Sequence, residues 1–582
     1  MSSEGLWQKE TETSRMSEGS DEEELTGIHG AVEQAAFFTW NNQYEDALAM
    51  LRSRKDTNPR FACEWAYVYV IKTLMSSTNE DRESLLGHFK LADSLASSTK
   101  YNEPMFAIAE DSPTDVLSKK DAASLKKKNK KSFKQNKKNA HSSGQLFDDS
   151  WKLECDLIYA EALLMRAILQ LMMNSYLKGG INLRKAWGCF HSLTTIVEKD
   201  TDNRIPYDIK MCVKYGTGVF YTFLALVPAN LMKLLSIIGF ISDKDLGEQY
   251  LNEVFESNTI RSPYAALTLC TLYLFLPTGL GNVEVTLSRA KVILDRMNER
   301  FPNNTYFNGY ANFYHRKRGE TQAAVEAITL ADKNAERAGI VPLLIRYLHA
   351  DTLFMDQNWA GALERYLAIL AHLEKTKEKF AYTGQITLSV AACYVMLGND
   401  GEGMLWIKKV NSMYNPKSKN DSNSPKFSNR VIANPRLLPL TGVFMLYINR
   451  DLAHMNAEQG RRVMSELNRV TAGKDLSGPE AENMLLLFKG VIEKGCDDTK
   501  EALVCLRKII ANEKTIAQDS MILPFTYYEL AELEYHKGHM EEAKYLFEKG
   551  LKIKGDGNET LSNRYAIAMK QLKRKMQELK KM

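Results

Sequence analysis

A pair of small residues twelve positions apart recurs along this chain and constrains its fold more than any other feature. Small side chains at these positions let the two helices of a hairpin pack closely, and stacked hairpins form a repeat array. Glycine lies five positions before the second small residue at Gly398 and Gly538, where a helix ends in a left-handed turn. This spacing indicates tetratricopeptide-type repeats, with a generic helical bundle as the alternative. The pairs are Ala35 with Ala47, Ala350 with Ala362, Ala391 with Gly403, Gly490 with Ala502, and Ala531 with Ala543.

Length and composition agree with a helical array. A chain of 582 residues is too long for one compact core. It has only 15 prolines, and residues that favour helices are frequent. We therefore predict an all-α fold in which tetratricopeptide-type hairpins form a solenoid or superhelix, with long apolar helices packed in the N-terminal half.

Changes in composition divide the chain into predicted segments. Two charged stretches lack apolar periodicity and are not expected to fold: residues 1–24 have a net charge of −6 and residues 119–138 one of +9. The predicted order is a disordered acidic tail at 1–25, N-terminal helical hairpins at 26–98, a Lys-rich linker at 99–147, long apolar helices with degenerate repeats at 148–258, tetratricopeptide repeats at 259–414, a polar loop at 415–434, and C-terminal repeats with a basic capping helix at 435–582.

The remaining charge is nearly balanced, so no nucleic-acid surface is expected on the folded part. The lysine tract at 119–138 has three interpretations: a solvated linker, a nuclear-import or nucleic-acid patch, or a segment attracted to an anionic membrane.

The apolar stretch at 216–241 is interrupted by Pro228, Asn230 and Lys233, which predicts buried helices and no transmembrane segment. A polar N-terminus and scattered cysteines favour a cytoplasmic location, with nuclear or peripheral membrane association as alternatives that follow from the lysine tract.

Sequence motifs of catalysis are missing. The chain has no phosphate loop, no HExxH, no GxSxG and no EF-hand loop. His536 and His539 are three residues apart, but they flank Gly538, where a helix should end, so they are not expected to bind a metal. We therefore expect no enzymatic activity, no metal and no cofactor.

The repeat pattern also predicts a binding groove. Four residues of the first helix in each hairpin line such a groove, at offsets −3, +1, +4 and +5 from its small residue. The candidate binding residues are Tyr347, Phe354, Met355, Leu388, Val395, Met396, Tyr528 and Tyr535. The other groove positions of the last two repeats include Val491, Lys494, Gly495, Glu532 and His536.

The middle of this groove is apolar, and a monomer rarely leaves such a surface exposed. Three occupants would cover it: another helix of the same chain, with the long apolar helices at 151–175 and 216–240 as candidates, an amphipathic helix of a protein partner, or a lipid-like ligand. No repeat supplies the lysine and asparagine clamp that holds a C-terminal carboxylate, which disfavours binding of chaperone tails. The predicted function is a scaffold or adaptor for a protein partner, and the alternative is a carrier or sensor of a hydrophobic ligand.

Two sequence stretches resemble the tetratricopeptide repeat protein 39 family, whose fungal relatives are the inclusion-body clearance proteins. The first is YLKGGINLRKAW at 176–187, and the second combines GTGVF at 216–220, LVPANL at 226–231 and LSIIGF at 235–240. The resemblance implies a helical repeat protein without known enzymatic activity. It also implies a connection with lipid homeostasis, lipid droplets or cilium assembly.

The first motif has two interpretations. A helix that ends at Gly179–Gly180 would place Lys178, Arg184 and Lys185 near the start of a new helix, where they would bind an anionic group. In the alternative, the aromatic residues of the motif pack in the core and the charges face water.

Overall fold

The computed structural model describes residues 28–76, 79–99, 150–173, 175–225, 243–275, 279–281, 283–416, 418, 421–517, 519–553 and 558–581. The predicted acidic tail at 1–25, the lysine tract at 119–138 and the family-motif residues at 226–231 and 235–240 lie outside the described residues.

The described residues contain 24 α-helices and no β-strand. They are α1 Ile28–Trp40, α2 Tyr44–Arg52, α3 Pro59–Ser76, α4 Asn79–Thr99, α5 Ser150–Met172, α6 Tyr176–Glu198, α7 Tyr207–Ala225, α8 Lys244–Glu256, α9 Ser262–Phe275, α10 Val283–Arg300, α11 Thr305–Lys317, α12 Thr321–Arg337, α13 Leu343–Met355, α14 Trp359–Thr376, α15 Thr383–Met396, α16 Asp400–Met413, α17 Asn423–Ala433, α18 Thr441–Ile448, α19 Ala457–Thr471, α20 Pro479–Gly495, α21 Thr499–Ala511, α22 Ile522–His536, α23 Met540–Lys552 and α24 Asn558–Lys581. Short 3₁₀ helices cover Pro435–Leu440, Asp451–Ala453 and Glu513–Thr515.

These helices divide into two compact units. The first comprises the described residues up to 269, and the second those from 270 onward together with the short stretch 75–78. The division falls inside α9.

The small-residue pairs lie where the repeat pattern places them. Both members of all five pairs are buried, in the hairpins α1–α2, α13–α14, α15–α16, α20–α21 and α22–α23. Gly398 and Gly538 have φ angles of 85° and 87°, as predicted for the turn between two helices. The prediction of an all-α, tetratricopeptide-type fold is confirmed.

One hairpin, α11–α12, replaces the first small residue by Asn312. Its side chain is fully buried, and Nδ2 donates to the Ala324 carbonyl at 2.9 Å and to Thr352 Oγ1 at 2.9 Å. The amide therefore links this hairpin to the next one by hydrogen bonds, in place of the close backbone approach that alanine allows.

The prediction that the first family motif breaks a helix is wrong, because α6 continues through both glycines. Gly179 packs against α5, where a Cβ would lie 2.9 Å from Leu171 Cγ. Of the two aromatic residues expected in the core, Trp187 lies there, with its ring 5.7 Å from that of Phe220, whereas Tyr176 is 66% exposed. Glycine is needed here for packing between helices and not for a chain reversal.

The same explanation applies to the second motif. A Cβ on Gly216 of α7 would overlap the ring of Phe190 in α6. Gly247 of α8 faces α7, and a Cβ there would lie 2.8 Å from Tyr221 Cβ. Glycines therefore let α6, α7 and α8 pack at short distance.

The polar stretch predicted as a loop at 415–434 instead contains α17. Asp421 before this helix is fully buried, and its carboxylate accepts from the backbone N–H groups of Gly384 at 2.8 Å and Gln385 at 2.7 Å. The first N–H groups of a helix have no partner within the helix. The polar residues thus supply a cap for α15, which composition alone did not distinguish from a loop.

Across the described ranges, no helix is both long and apolar enough to cross a membrane.

Candidate functional site

The eight candidate groove residues lie in or against one hydrophobic core of the second unit. Seven of them are buried, and Tyr535 is half-buried. Met396, at the centre, is 1% exposed. In this conformation a partner has no access to these seven side chains, so their role as contacts of a partner stays a prediction.

The chain itself fills this part of the groove. The segment 435–448, which contains α18, packs on α15, and a Cβ on Gly442 would lie 2.6 Å from Met396 Cγ. Phe444 of this segment stacks on Phe427 with ring centroids 3.6 Å apart. The long apolar helices expected as the cover, at 151–175 and 216–240, lie in their described parts in the first unit, and residues 435–448 cover these side chains instead.

Lys178, Arg184 and Lys185 of the family motif are exposed on α6 in the first unit. Lys178 lies in the first turn of this helix, and the other two follow about 9 Å further along its axis. The three cations therefore do not converge on the N-terminus of one helix. Leu177 beside them is 80% exposed.

An open cavity of about 640 Å³ lies in the second unit, next to the last two repeats. Groove positions of α20 and α22 contribute Val491, Lys494, Gly495, Glu532 and His536 to its wall. The rest of the wall comes from Lys317 at the end of α11, the turn around Arg450–His454, Glu529 of α22 and Arg564 of α24. It is completed by Phe275, Gly279, Leu280, Gly281 and Val283. The repeat geometry thus leaves a groove open here, whereas residues 435–448 fill it at α15.

Both carboxylates of the cavity wall already have partners. Lys494 Nζ lies 2.7 Å from Glu529 Oε2 and also forms an ion pair with Glu532. The Tyr447 hydroxyl donates to Glu529 at 3.1 Å, and the guanidinium of Arg564 lies 3.7 Å from the same carboxylate. Lys494 therefore offsets half of the negative charge of these two carboxylates, and Arg564 lies near Glu529 as well.

The other positively charged side chains of the cavity wall have too few acidic partners in the described ranges to balance their charge. Among the described residues, neither Lys317 nor Arg450 has an acidic partner within ion-pair distance. The Nε atoms of Arg450 and Arg564 are buried without a hydrogen-bond partner in the described structure. Unpaired buried donors of this kind are rare in folded proteins because burial removes their hydrogen bonds to water.

This surplus of positive charge shifts the protonation of its neighbours. Burial, and then the charges of Arg450 and Arg316, lower the pKa of Lys317 to about 8. Burial, followed by the charge of Lys317, lowers the pKa of His454 to about 3, so this imidazole is neutral at pH 7. Shifts of this kind concentrate at functional sites.

The backbone of Arg450 is unusual as well. Its φ angle is 68°, in the left-handed region where glycine is the ordinary residue. A side chain costs about 1–2 kcal/mol in this conformation. Arginine at this turn therefore supplies a charge to the cavity wall at a cost in stability, which is typical of functional positions.

The described residues contain one group with metal-binding composition, in the first unit: Cys63, Glu64 and Glu161. All four carboxylate oxygens accept from the guanidinium groups of Arg60 and Arg261, at 2.6–3.2 Å. Burial alone would raise the pKa of Glu161, but Arg261 and Arg60 hold it below its ordinary value. The arrangement is a buried ion-pair network, and its oxygens are already used.

Helical hairpins with both small residues of the pair buried define the class of this protein, a tetratricopeptide-type repeat protein. Within this class, the sequence model of the Iml2/Tetratricopeptide repeat protein 39 family matches residues 33–423, more than half of the chain. The chain belongs to this family. The resemblance seen in the sequence motifs is thereby confirmed.

Three solved structures are similar at low sequence identity. Human IFIT1, in a dimer with PPP-AAAA, is 14% identical, with 82% of this chain and 95% of that chain covered and a TM-score of 0.33. Yeast Tom70 is 12% identical, with 94% and 98% covered and a TM-score of 0.25. Cut9 with Hcn1, an APC/C hetero-tetramer, is 11% identical, with 94% and 97% covered and a TM-score of 0.23. With TM-scores below 0.5, these likenesses carry no argument about ligand or partner.

Lys317, Arg450 and Arg564 belong to no binding motif in the sequence. The groove pattern did reach Lys494, Glu532 and His536 in the same wall. Arg564 belongs to the basic terminal helix, which we interpreted as a solvated cap. No spacing rule marks the other two cations, because they lie at the end of a helix and in a turn.

Proposed function

We propose that this protein is a non-catalytic helical-repeat scaffold that binds a segment of a partner protein in the cavity beside its last two repeats. One observation carries the proposal: the predicted groove is filled by the chain at α15, but its continuation along α20 and α22 opens into a cavity of about 640 Å³. Pockets of this size accommodate a few side chains of a bound segment.

The chemistry of the described residues supports a binding role over catalysis. Cys63, Cys212, Cys270 and Cys393 are buried, and burial raises the pKa of each thiol. Such thiols are not activated nucleophiles. The cavity wall combines apolar residues with charges, as in sites that bind peptides.

Site-specific photocrosslinking tests this proposal. A photoreactive amino acid is introduced into the full chain in cells at His536, which is exposed and lines the cavity. The matched control position is Tyr545, 57% exposed on α23 and not part of the cavity wall. We expect a light-dependent protein adduct of defined mass from position 536 and none from 545. Equal adducts from both positions, or none from 536, would contradict the proposal.

A carrier or sensor of a hydrophobic ligand is the second candidate function. It is favoured by the apolar part of the cavity wall, where Phe275, Leu280, Val283 and Leu452 lie together. Native mass spectrometry of gently purified protein tests it, and the expected result is a co-purifying lipid of constant mass. If the full-length protein co-purifies with no lipid of constant mass, this candidate function is rejected.

We further propose a cytoplasmic location, from the polar N-terminus and the scattered cysteines, and, from the family resemblance alone, a role in lipid homeostasis or in cilium-related processes. Imaging of the tagged chain, together with measurement of lipid-droplet content and cilium frequency after its removal from cells, tests these points.

A further inference from the structure

We propose that Lys317, Arg450 and Arg564 form a binding subsite for a phosphate monoester within this cavity. The inference rests on the proposed function in one respect, that the cavity receives a group from outside the chain. It adds the chemistry of that group.

The charge balance of the wall supports a doubly charged anion. The wall holds four cations, Lys317, Arg450, Lys494 and Arg564, and two carboxylates, Glu529 and Glu532, which leaves a net charge of +2 apart from the two histidines. A phosphate monoester carries a charge of about −1.5 to −2 at neutral pH, whereas a carboxylate carries only −1. Phosphate is therefore the better match to the surplus.

The arginine donors also fit phosphate. The Nε–H groups of Arg450 and Arg564 are closed to the cavity and have no acceptor among the described residues, so a phosphate would contact the terminal N–H groups of the two guanidinium groups. A phosphate offers three terminal oxygens, and the planar fork of arginine suits bidentate contact with them. Lys317 adds a point charge that has no acidic partner among the residues that the structure describes.

The subsite is partly organised before any ligand binds. The guanidinium of Arg564 lies over the ring of Tyr528 at 4.1 Å, which restricts its orientation. The left-handed backbone of Arg450 fixes the turn that carries it. Lys494 is held by Glu529 and Glu532, so it contributes to the field but is not free to follow a ligand.

The experiment measures the binding of inorganic phosphate to the purified full chain, by calorimetry and by thermal shift, at constant ionic strength set with chloride. The variants are Arg450→Gln and Lys317→Gln. The matched control is Arg574→Gln on α24, where the arginine side chain is 83% exposed and pairs with Glu578 at 3.1 Å. We expect phosphate to stabilise the wild type, the two cavity variants to bind it about tenfold more weakly or worse, and the control to behave like the wild type.

A folding defect would not mimic this result. Each cavity variant removes a poorly compensated cation, so the melting temperature without phosphate should stay the same or rise. Loss of phosphate binding at an unchanged or higher melting temperature therefore supports the subsite. No phosphate effect in the wild type, or the same effect in all three variants, overturns it.

The crosslinking test separates this inference from the proposed function. An adduct at position 536 without phosphate binding means that only the subsite is wrong. Phosphate binding without an adduct means that the subsite stands and the protein-scaffold role fails. Phosphoserine and a peptide that contains it identify the source of the phosphate: tighter binding of the peptide indicates a protein segment, and equal binding indicates a small molecule.

Discussion

Replacement of Gly247 by alanine should destabilise the first unit, because this glycine sets the distance between α7 and α8. A Cβ at this position would lie 2.8 Å from Tyr221 Cβ, 2.9 Å from Thr222 Oγ1 and 3.1 Å from the Thr222 backbone nitrogen. Cβ atoms and backbone nitrogens cannot rotate away, so the helices must separate.

The size of the effect follows from this geometry. Ordinary contact begins at 3.4 Å, so the separation must grow by roughly 0.6 Å, the difference between 3.4 and 2.8 Å. A radial gap of that size loses about a quarter to a half of the dispersion energy of the contacts that it opens. Overpacking lowers the free energy of unfolding by about 1–3 kcal/mol, and the higher helix propensity of alanine offsets up to about 1 kcal/mol of this loss. We expect a net loss of about 1–2 kcal/mol.

Hydrogen exchange resolves such a change within a chain of two units. Amides of α7 and α8 that exchange through local opening should exchange about five to thirty times faster, since 1.4 kcal/mol corresponds to a factor of ten. The matched control is Gly188→Ala on α6, where a Cβ would meet nothing within 4 Å. This variant should gain about 0.5–1 kcal/mol. Unchanged or slower exchange in Gly247→Ala would refute the argument from helix spacing.

Three further changes test other features of the structure. Arg261→Gln leaves Glu64 and Glu161 buried with too little positive charge, so it should lower the free energy of unfolding of the first unit by about 3–5 kcal/mol. An unchanged midpoint of thermal unfolding would contradict this prediction. Asp421→Ala removes two hydrogen bonds from the N-terminus of α15, and should cost about 1–2 kcal/mol, seen as faster exchange of the first amides of this helix; protection equal to that of the wild type would disprove the cap. Lys317→Met should stabilise the second unit at pH 7, because the folded-state pKa of about 8 lies below the ordinary value of 10.5. Between pH 8 and 10.5, Lys317 has lost its proton in the folded state but keeps it in the unfolded state, so the wild type should become more stable as the pH rises. A melting temperature that does not change over this pH range would contradict the prediction.

The repeat architecture was predictable because it depends on local spacing. Ala362, Ala502 and Ala543 each lie twelve residues after another small residue, and their complete burial follows from the geometry of a hairpin. The glycines at 398 and 538 were predictable for the same reason, since a turn of fixed length needs a left-handed residue at a fixed place.

Features that depend on distant contacts were not predictable. The groove positions at Phe354 and Met396 were correctly placed on the first helices of their hairpins, but no spacing rule shows that residues 435–448 pack on them. The double glycine at 179–180 has the composition of a turn, and only its contact with Leu171 reveals close helix packing. The cavity likewise draws its cations from separate parts of the chain, which a search for local motifs does not connect.

The segment at 435–448 packs on the central groove positions as part of the hydrophobic core, and an external helix would have to displace it. Its covalent attachment gives it an effective concentration on the order of millimolar or higher. A soluble helix with micromolar intrinsic affinity would therefore bind this region weakly, because its apparent affinity falls with the fraction of molecules in which the segment has detached. Under the proposed function, the contacts with a partner would therefore lie at the charged cavity of the second unit and not at these apolar side chains.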